Sequence, residues 1–328
     1  MKIHVVGIAI LFFACTGKSQ TNTIENKTVQ VITKTKKALS SKILFARKHN
    51  TENGWSIFSI GPNGTEEKIV IPYASGQGEY NPDISPDGTT VLFNSYRFGG
   101  WKLLTTNLLT KEYKRISSST DYYFNGSYSP DGNQIVYEKV GRGEKTQLYI
   151  SDKNGGKEIL VSIGMKDVEN RIPVWSPDGT SIIFYSNKNG STDIYRYDTA
   201  KKDITNLTKN EKGNNFNPSV SPDGKKIAFF SDRNGYLDLY VMDSDGTNSK
   251  NLTASLHNEN NVYNYYKNSN LFWLFKCSWS PDGSSLVFSN ANTTNIDLFT
   301  IKKDGTELQQ ITKTEGSELT PVWGMIHP

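Results

Sequence analysis

Pro173-Val174-Trp175-Ser176-Pro177-Asp178-Gly179-Thr180-Ser181-Ile182-Ile183-Phe184-Tyr185-Ser186 reads as an extended run, a tight turn and a second extended run. Proline presets φ at the first central position of the turn, aspartate bonds the backbone ahead of it, and glycine supplies the positive φ that returns the chain. The β-branched and aromatic residues on either side favour strands. After a break at 187–190, two more runs follow, Asp193-Ile194-Tyr195-Arg196-Tyr197 and Ile204-Thr205-Asn206-Leu207-Thr208. The unit is therefore a four-stranded antiparallel meander.

The tetrapeptide Ser-Pro-Asp-Gly recurs, starting at Ser85, Ser129, Ser176, Ser221 and Ser280. The intervals are 44, 47, 45 and 59 residues (129−85, 176−129, 221−176, 280−221), the period of a propeller blade rather than of a helical or leucine-rich repeat. Equivalent runs place blade two at 81–117, blade three at 125–161, blade five at 217–253 and blade six at 276–312. Blade one is split. Lys42-Ile43-Leu44-Phe45-Ala46-Arg47 is a second strand without a first, and Thr320-Pro321-Val322-Trp323-Gly324 is a first strand without the rest. Joining them predicts an all-β, six-bladed β-propeller over 41–328, closed by pairing of the C-terminal strand with the N-terminal blade, which leaves no long unpaired edge.

The recurring Pro-x-Trp-Ser-Pro-Asp-Gly, followed by an apolar strand and then by Asp193-Ile194-Tyr195, Asp238-Leu239-Tyr240 or Asp297-Leu298-Phe299, resembles the WD40-like propeller repeat of the TolB family. The resemblance implies a bacterial envelope protein that works through contacts with other envelope proteins or peptides. With little chain upstream of residue 41, no counterpart of the small α/β domain that precedes the propeller in TolB is expected.

Lys2 precedes an apolar run over 3–15, too short to span a bilayer and of the length of a signal-peptide core. Its end, Phe12-Phe13-Ala14-Cys15, resembles a bacterial lipoprotein signal, which implies lipidation of Cys15. The expected organisation is a signal over 1–15, a flexible polar tether over 16–40 and the propeller. As random coil the tether reaches roughly 25–30 Å. Such a protein sits at the periplasmic face of the envelope, anchored more naturally in the outer than the inner membrane, and touches the membrane through lipid alone; plain secretion to the periplasm is the alternative. The net charge of +4, with lysines and acids interspersed, argues against nucleic acid as a partner.

Strand order fixes which loops share a face. The Ser-Pro-Asp-Gly turns lie with the turns at Gly64, Gly155, Gly246 and Gly305, whereas the opposite face collects the connections between second and third strands and between blades. Those connections vary, as binding loops on a rigid scaffold do. The 257–275 insertion on that face carries Tyr263, Tyr265, Tyr266, Phe272 and Trp273, residue types that dominate interaction surfaces. Aligned first strands supply a second candidate, a ring at the channel mouth made of Tyr80, Asn81, Phe124, Asn125, Arg171, Phe216, Asn217, Phe275 and Lys276. Packing between blades is the plainer reading of that column. Arg97, Trp101, Arg142 and Arg233, from strand-two-to-three connections, extend the same surface.

Catalysis finds little support. The four histidines, His4, His49, His257 and His327, show no metal-binding spacing, no Gly-x-Ser-x-Gly elbow is present, and the five motif aspartates recur because the turn recurs. No cofactor, metal site or catalytic residue is expected. The sequence reads as a non-catalytic scaffold for an envelope protein or peptide; the alternative is an envelope enzyme or sensor acting on a carbohydrate through the channel.

Overall fold

The computed structural model describes residues 38–48, 54–117, 119–162, 164–165, 167–257, 274–291 and 295–327. They form six four-stranded antiparallel sheets. Five sheets are built in sequence order, led by first strands Glu79–Ile84, Tyr122–Tyr128, Asn170–Trp175, Asn215–Val220 and Cys277–Trp279. The remaining sheet is composite: Ser317–Ile326 pairs with Ser40–Lys48, which pairs with Trp55–Ile60 and then Lys68–Ile71. Its closing register sets Ser40 opposite Ile326, Leu44 opposite Val322 and Lys48 opposite Ser317. The ring thus closes as the split repeat requires.

Second strands are covered on both faces by neighbouring blades, so they read as continuous apolar runs: Ile43-Leu44-Phe45, Val91-Leu92-Phe93, Ile182-Ile183-Phe184 and Leu286-Val287-Phe288 are all buried. Each such side chain contributes about 1.5–3 kcal/mol by leaving water. Trp175 and Trp279 are buried between blades as well, and the half-buried Trp323 donates its indole N–H to Ser41 Oγ at 2.8 Å.

Every Ser-Pro-Asp-Gly turn is built alike. In blade five the Ser221 hydroxyl donates to Asp223 Oδ1 at 2.7 Å and accepts from the Lys226 N–H at 2.9 Å, while Gly224, at φ 70°, returns its N–H to the Ser221 carbonyl at 2.8 Å. The serine stitches both strands of the hairpin, which explains why it recurs with the turn.

First strands carry a second repeated device. Asn81, Asn125, Ile172, Asn217 and Thr320 all adopt φ between 47° and 54°, the left-handed region that asparagine tolerates best among non-glycine residues. The register slips there, between Tyr80 and Asp83, Phe124 and Ser127, Arg171 and Val174, and Phe216 and Ser219. These bulges bend each first strand as it passes along the axis.

A buried clasp reinforces the closure. Arg47 on the N-terminal strand donates through Nε to Glu318 Oε1 at 2.6 Å and through its two terminal nitrogens to Glu67 at 2.6 and 2.8 Å. Glu318, fully buried, also accepts from the hydroxyls of Thr312 and Thr314. Cys277 is buried, and burial pushes its thiol up to about 12, which keeps it protonated and unreactive.

Candidate functional site: the channel and its aromatic mouth

Six residues, one from each blade, ring the axis: Asp83, Ser127, Val174, Ser219, Ser278 and Val322. Each stands two positions before the motif serine or its counterpart, so the repeat itself aligns them. The cavity they help line has a volume of about 130 Å³, room for roughly four water molecules. Toward the Ser-Pro-Asp-Gly face it widens into a depression of about 480 Å³ bordered by Ile84, Val220, Trp279, Trp323 and Met325.

Four charged groups converge on this axis. The Lys276 ammonium donates to Asn125 Oδ1 at 2.7 Å; burial pushes its pKa down to about 8 against the attraction of Glu138 and Asp83. Burial raises Asp83 to about 6 even though the Tyr128 N–H donates to its Oδ2 at 2.7 Å and Lys276 faces it. Both keep some accessible area, but it opens on the channel and not on bulk water. Glu138 is fully buried, which raises its pKa; Arg171, the Ile172 N–H at 2.6 Å and Asn125 Nδ2 at 2.7 Å oppose that shift. Burial disfavours the Arg171 cation, yet Glu138 and Glu169 outweigh it and the guanidinium stays charged.

The expected mouth ring divides in two. Tyr80, Phe216 and Phe275 are buried, and so are Asn81, Asn125 and Asn217. The asparagine amides face inward: Asn81 Nδ2 donates to Asn94 Oδ1 at 3.2 Å, and Asn217 Nδ2 donates to the Phe275 carbonyl. The buried aromatics pack ring on ring around the axis, Tyr185 against Phe216, Phe216 against Phe230 and Phe230 against Phe275. Phe124, Arg171 and Lys276 alone of the nine keep partial exposure. The insertion aromatics Tyr263, Tyr265, Tyr266, Phe272 and Trp273 lie outside the described residues, as does Cys15. At the base of the insertion, His257 stacks on Tyr236 at 3.8 Å and its Nε2 meets Asp238 Oδ1 at 2.7 Å.

Sequence reasoning missed Asp83, Glu138 and Asn94. A signal was present: Asn94 and Glu138 are polar residues that directly follow the apolar runs Val91-Leu92-Phe93 and Ile135-Val136-Tyr137 of their second strands, where other blades place Tyr185 or Phe230. Of the strand-two-to-three residues, Arg97 is held by Glu79 at 2.8 Å and Arg233 by Glu211 and Asn215, so neither is a free surface cation. Among the described residues, no group of three or more His, Cys, Asp and Glu side chains could hold a metal ion.

Six meanders arranged about a narrow polar axis and locked by a composite sheet define a six-bladed β-propeller. The chain belongs to the TolB beta propeller domain family, whose model matches residues 29–264. It is 25% identical to the Tol-Pal system protein TolB of Francisella tularensis subsp. mediasiatica, in a match covering 39% of this chain and 40% of that one. The chain thus matches about two fifths of the length of that curated relative. Its fold is similar to the crystal structure of TolB from Acinetobacter baumannii, with TM-score 0.71, 22% identity, and 87% of this chain and 66% of that one covered. Putative TolB from Agrobacterium tumefaciens gives TM-score 0.65 and 21% identity over 84% of this chain and 91% of that one.

Proposed function

We propose that this protein is a non-catalytic, envelope-associated scaffold that binds a protein or peptide partner on the face carrying the strand-two-to-three connections and the 257–275 insertion. The observation that carries the reading is the asymmetry of the channel mouth. Around an otherwise packed ring, Phe124 and Arg171 remain partly exposed on neighbouring blades and Lys276 on blade six, beside connections that differ from blade to blade. Membership of a family with Tol-Pal relatives supports a protein partner. In this reading Cys15 carries lipid, and the protein lies at the periplasmic face of the envelope.

The narrow part of the channel offers little room for turnover. Lys276 and Asp83 could exchange protons near neutrality, but each is already engaged, by Asn125 and by the Tyr128 N–H. The volume of about 130 Å³ is also small beside the roughly 300 Å³ at which ligand pockets begin.

The test compares the full chain, a variant lacking 258–270 and Cys15→Ala by membrane fractionation and crosslinked partner capture. The reading expects the full chain in the membrane fraction with a defined partner, Cys15→Ala in the soluble fraction, and partner loss on shortening. Unchanged fractionation removes the lipid anchor; an identical partner set from the shortened chain removes the insertion face.

A further inference from the structure

Lys276 stands in a column that the other first strands fill with Asn81, Asn125, Ile172, Asn217 and Thr320. Blade six is opposite blade three in the ring, and the Lys276 ammonium reaches across the axis to Asn125 Oδ1 at 2.7 Å. The side chain therefore bars the channel instead of lying along its wall. Asp83, Ser219, Ser278 and Val322 line both the throat of about 130 Å³ around this amine and the depression of about 480 Å³ on the Ser-Pro-Asp-Gly face. A small molecule entering from that face meets Lys276. On the far side the axis is crowded by the packed rings of Tyr185, Phe216, Phe230 and Phe275.

Three observations define what this amine takes. First, the charged groups facing it are Asp83 of blade two and Glu138 of blade three, the latter also faced by Arg171 of blade four, while blades five and one present Asn217, Ser219 and Val322. Burial outweighs the attraction of both carboxylates and holds the amine at about 8. At pH 7 about a tenth of it is then free amine, against about one part in three thousand for an ordinary exposed lysine. A desolvated lysine of this kind attacks carbonyl carbon. Second, the free amine still donates to Asn125, so that hydrogen bond orients the nitrogen without consuming its lone pair. Third, the throat has room for roughly four waters, and its lining carries no charge besides Lys276 and Asp83. An anion has to pass the Asp83 carboxylate, and a bulky reagent does not fit. Cys277 lines the same throat, but its thiol stays protonated, which leaves the amine as the stronger nucleophile.

We propose that Lys276 is a covalent capture site for small uncharged aldehydes, which reach it from the Ser-Pro-Asp-Gly face. The nitrogen lone pair bonds to the carbonyl carbon, the carbon–oxygen double bond opens, and the resulting carbinolamine expels its oxygen. Counted from the ammonium, the two protons that nitrogen gives up leave with that oxygen as one water, and the product is an iminium. No oxidant or reductant is consumed. The iminium keeps its positive charge facing Asp83 and Glu138, and its remaining N–H donates to Asn125, so the adduct retains the partners of the free side chain. This site opens on the face opposite the partner-binding face proposed above and is independent of it.

The experiment treats the detergent-solubilised full chain at neutral pH with propanal, which takes up about the space of four waters, and with sodium cyanoborohydride. The reductant converts the iminium to a stable propyl-lysine, located by mass spectrometry of chymotryptic peptides. Lys276 is expected to label about tenfold faster than the exposed Lys188, because its larger fraction of free amine outweighs the narrow access. In denaturing urea the two rates are expected to converge, since the preference belongs to the folded channel. Pyridoxal phosphate, a bulky anionic aldehyde, is expected to label Lys188 and to spare Lys276. Labelling of Lys276 no faster than Lys188 in the folded chain, a preference that survives in urea, or equal labelling of both by pyridoxal phosphate overturns the proposal. Each of these outcomes leaves the scaffold reading standing.

Discussion

Asn217 shows how one side chain serves backbone and packing together. Its φ of 54° bends the first strand, and its donation to the Phe275 carbonyl ties blade five to the adjacent blade six. Asn217→Ala gives up the left-handed preference and the hydrogen bond, each worth about 1 kcal/mol, for an expected total near 2 kcal/mol. Asn217→Gly, which restores the backbone freedom, should lose about half of that; urea denaturation of the two variants checks the order. The asparagine column was legible in the sequence as a repeat, but not its cause. A first-strand asparagine reads equally as a channel-facing amide or as a bulge residue, and only the φ value decides. Ile172 and Thr320 hide the device altogether, since β-branched residues are the last to be expected at positive φ.

The turn is the element that made the fold readable, because its chemistry is local: serine, proline, aspartate and glycine each act within five residues. Ser221→Ala leaves the half-buried Lys226 N–H without its acceptor and is expected to cost about 1 kcal/mol, measured as a lowered thermal midpoint. The turn aspartates also shape the acid limb. Hydrogen bonds from Ser280 and from Ser284 hold Asp282 down at about 2, and the other four motif aspartates shift the same way. A carboxyl depressed in the folded state adds stability above its ordinary value of 3.8, lost as pH falls below it. Asp83 works in the opposite sense: held at about 6 by burial, it stabilises at low pH and loses that contribution as pH rises from 3.8 through 6. Together they place the stability maximum at about pH 4–5, which thermal melts across pH 3 to 8 check. In Asp83→Asn the decline between pH 4 and 7 should flatten. Channel chemistry was less legible than the turns, because Glu138 and Asp83 meet Lys276 from different blades and no local spacing records that.

At the scale of the molecule, the period near 45 residues and the two half-blades specified a closed ring before any coordinate. The clasp that secures it, Arg47 to Glu318, joins residues 271 positions apart, and such pairings leave no pattern in one sequence. Glu318→Gln removes the charge while Arg47 stays buried, with an expected cost of about 2–4 kcal/mol in urea denaturation, Glu67 retaining part of the compensation. The double variant Arg47→Met/Glu318→Leu should recover most of that loss, because apolar groups of similar volume need no partner. The composite sheet also governs how the protein bears force. Residues 40–48 are flanked on one side by 317–326 and on the other by 55–60, so tension arriving through Leu39 runs along a strand gripped by two ladders. The hydrogen bonds of both ladders then resist in shear, all at once, instead of unzipping one by one as they would from an outer strand.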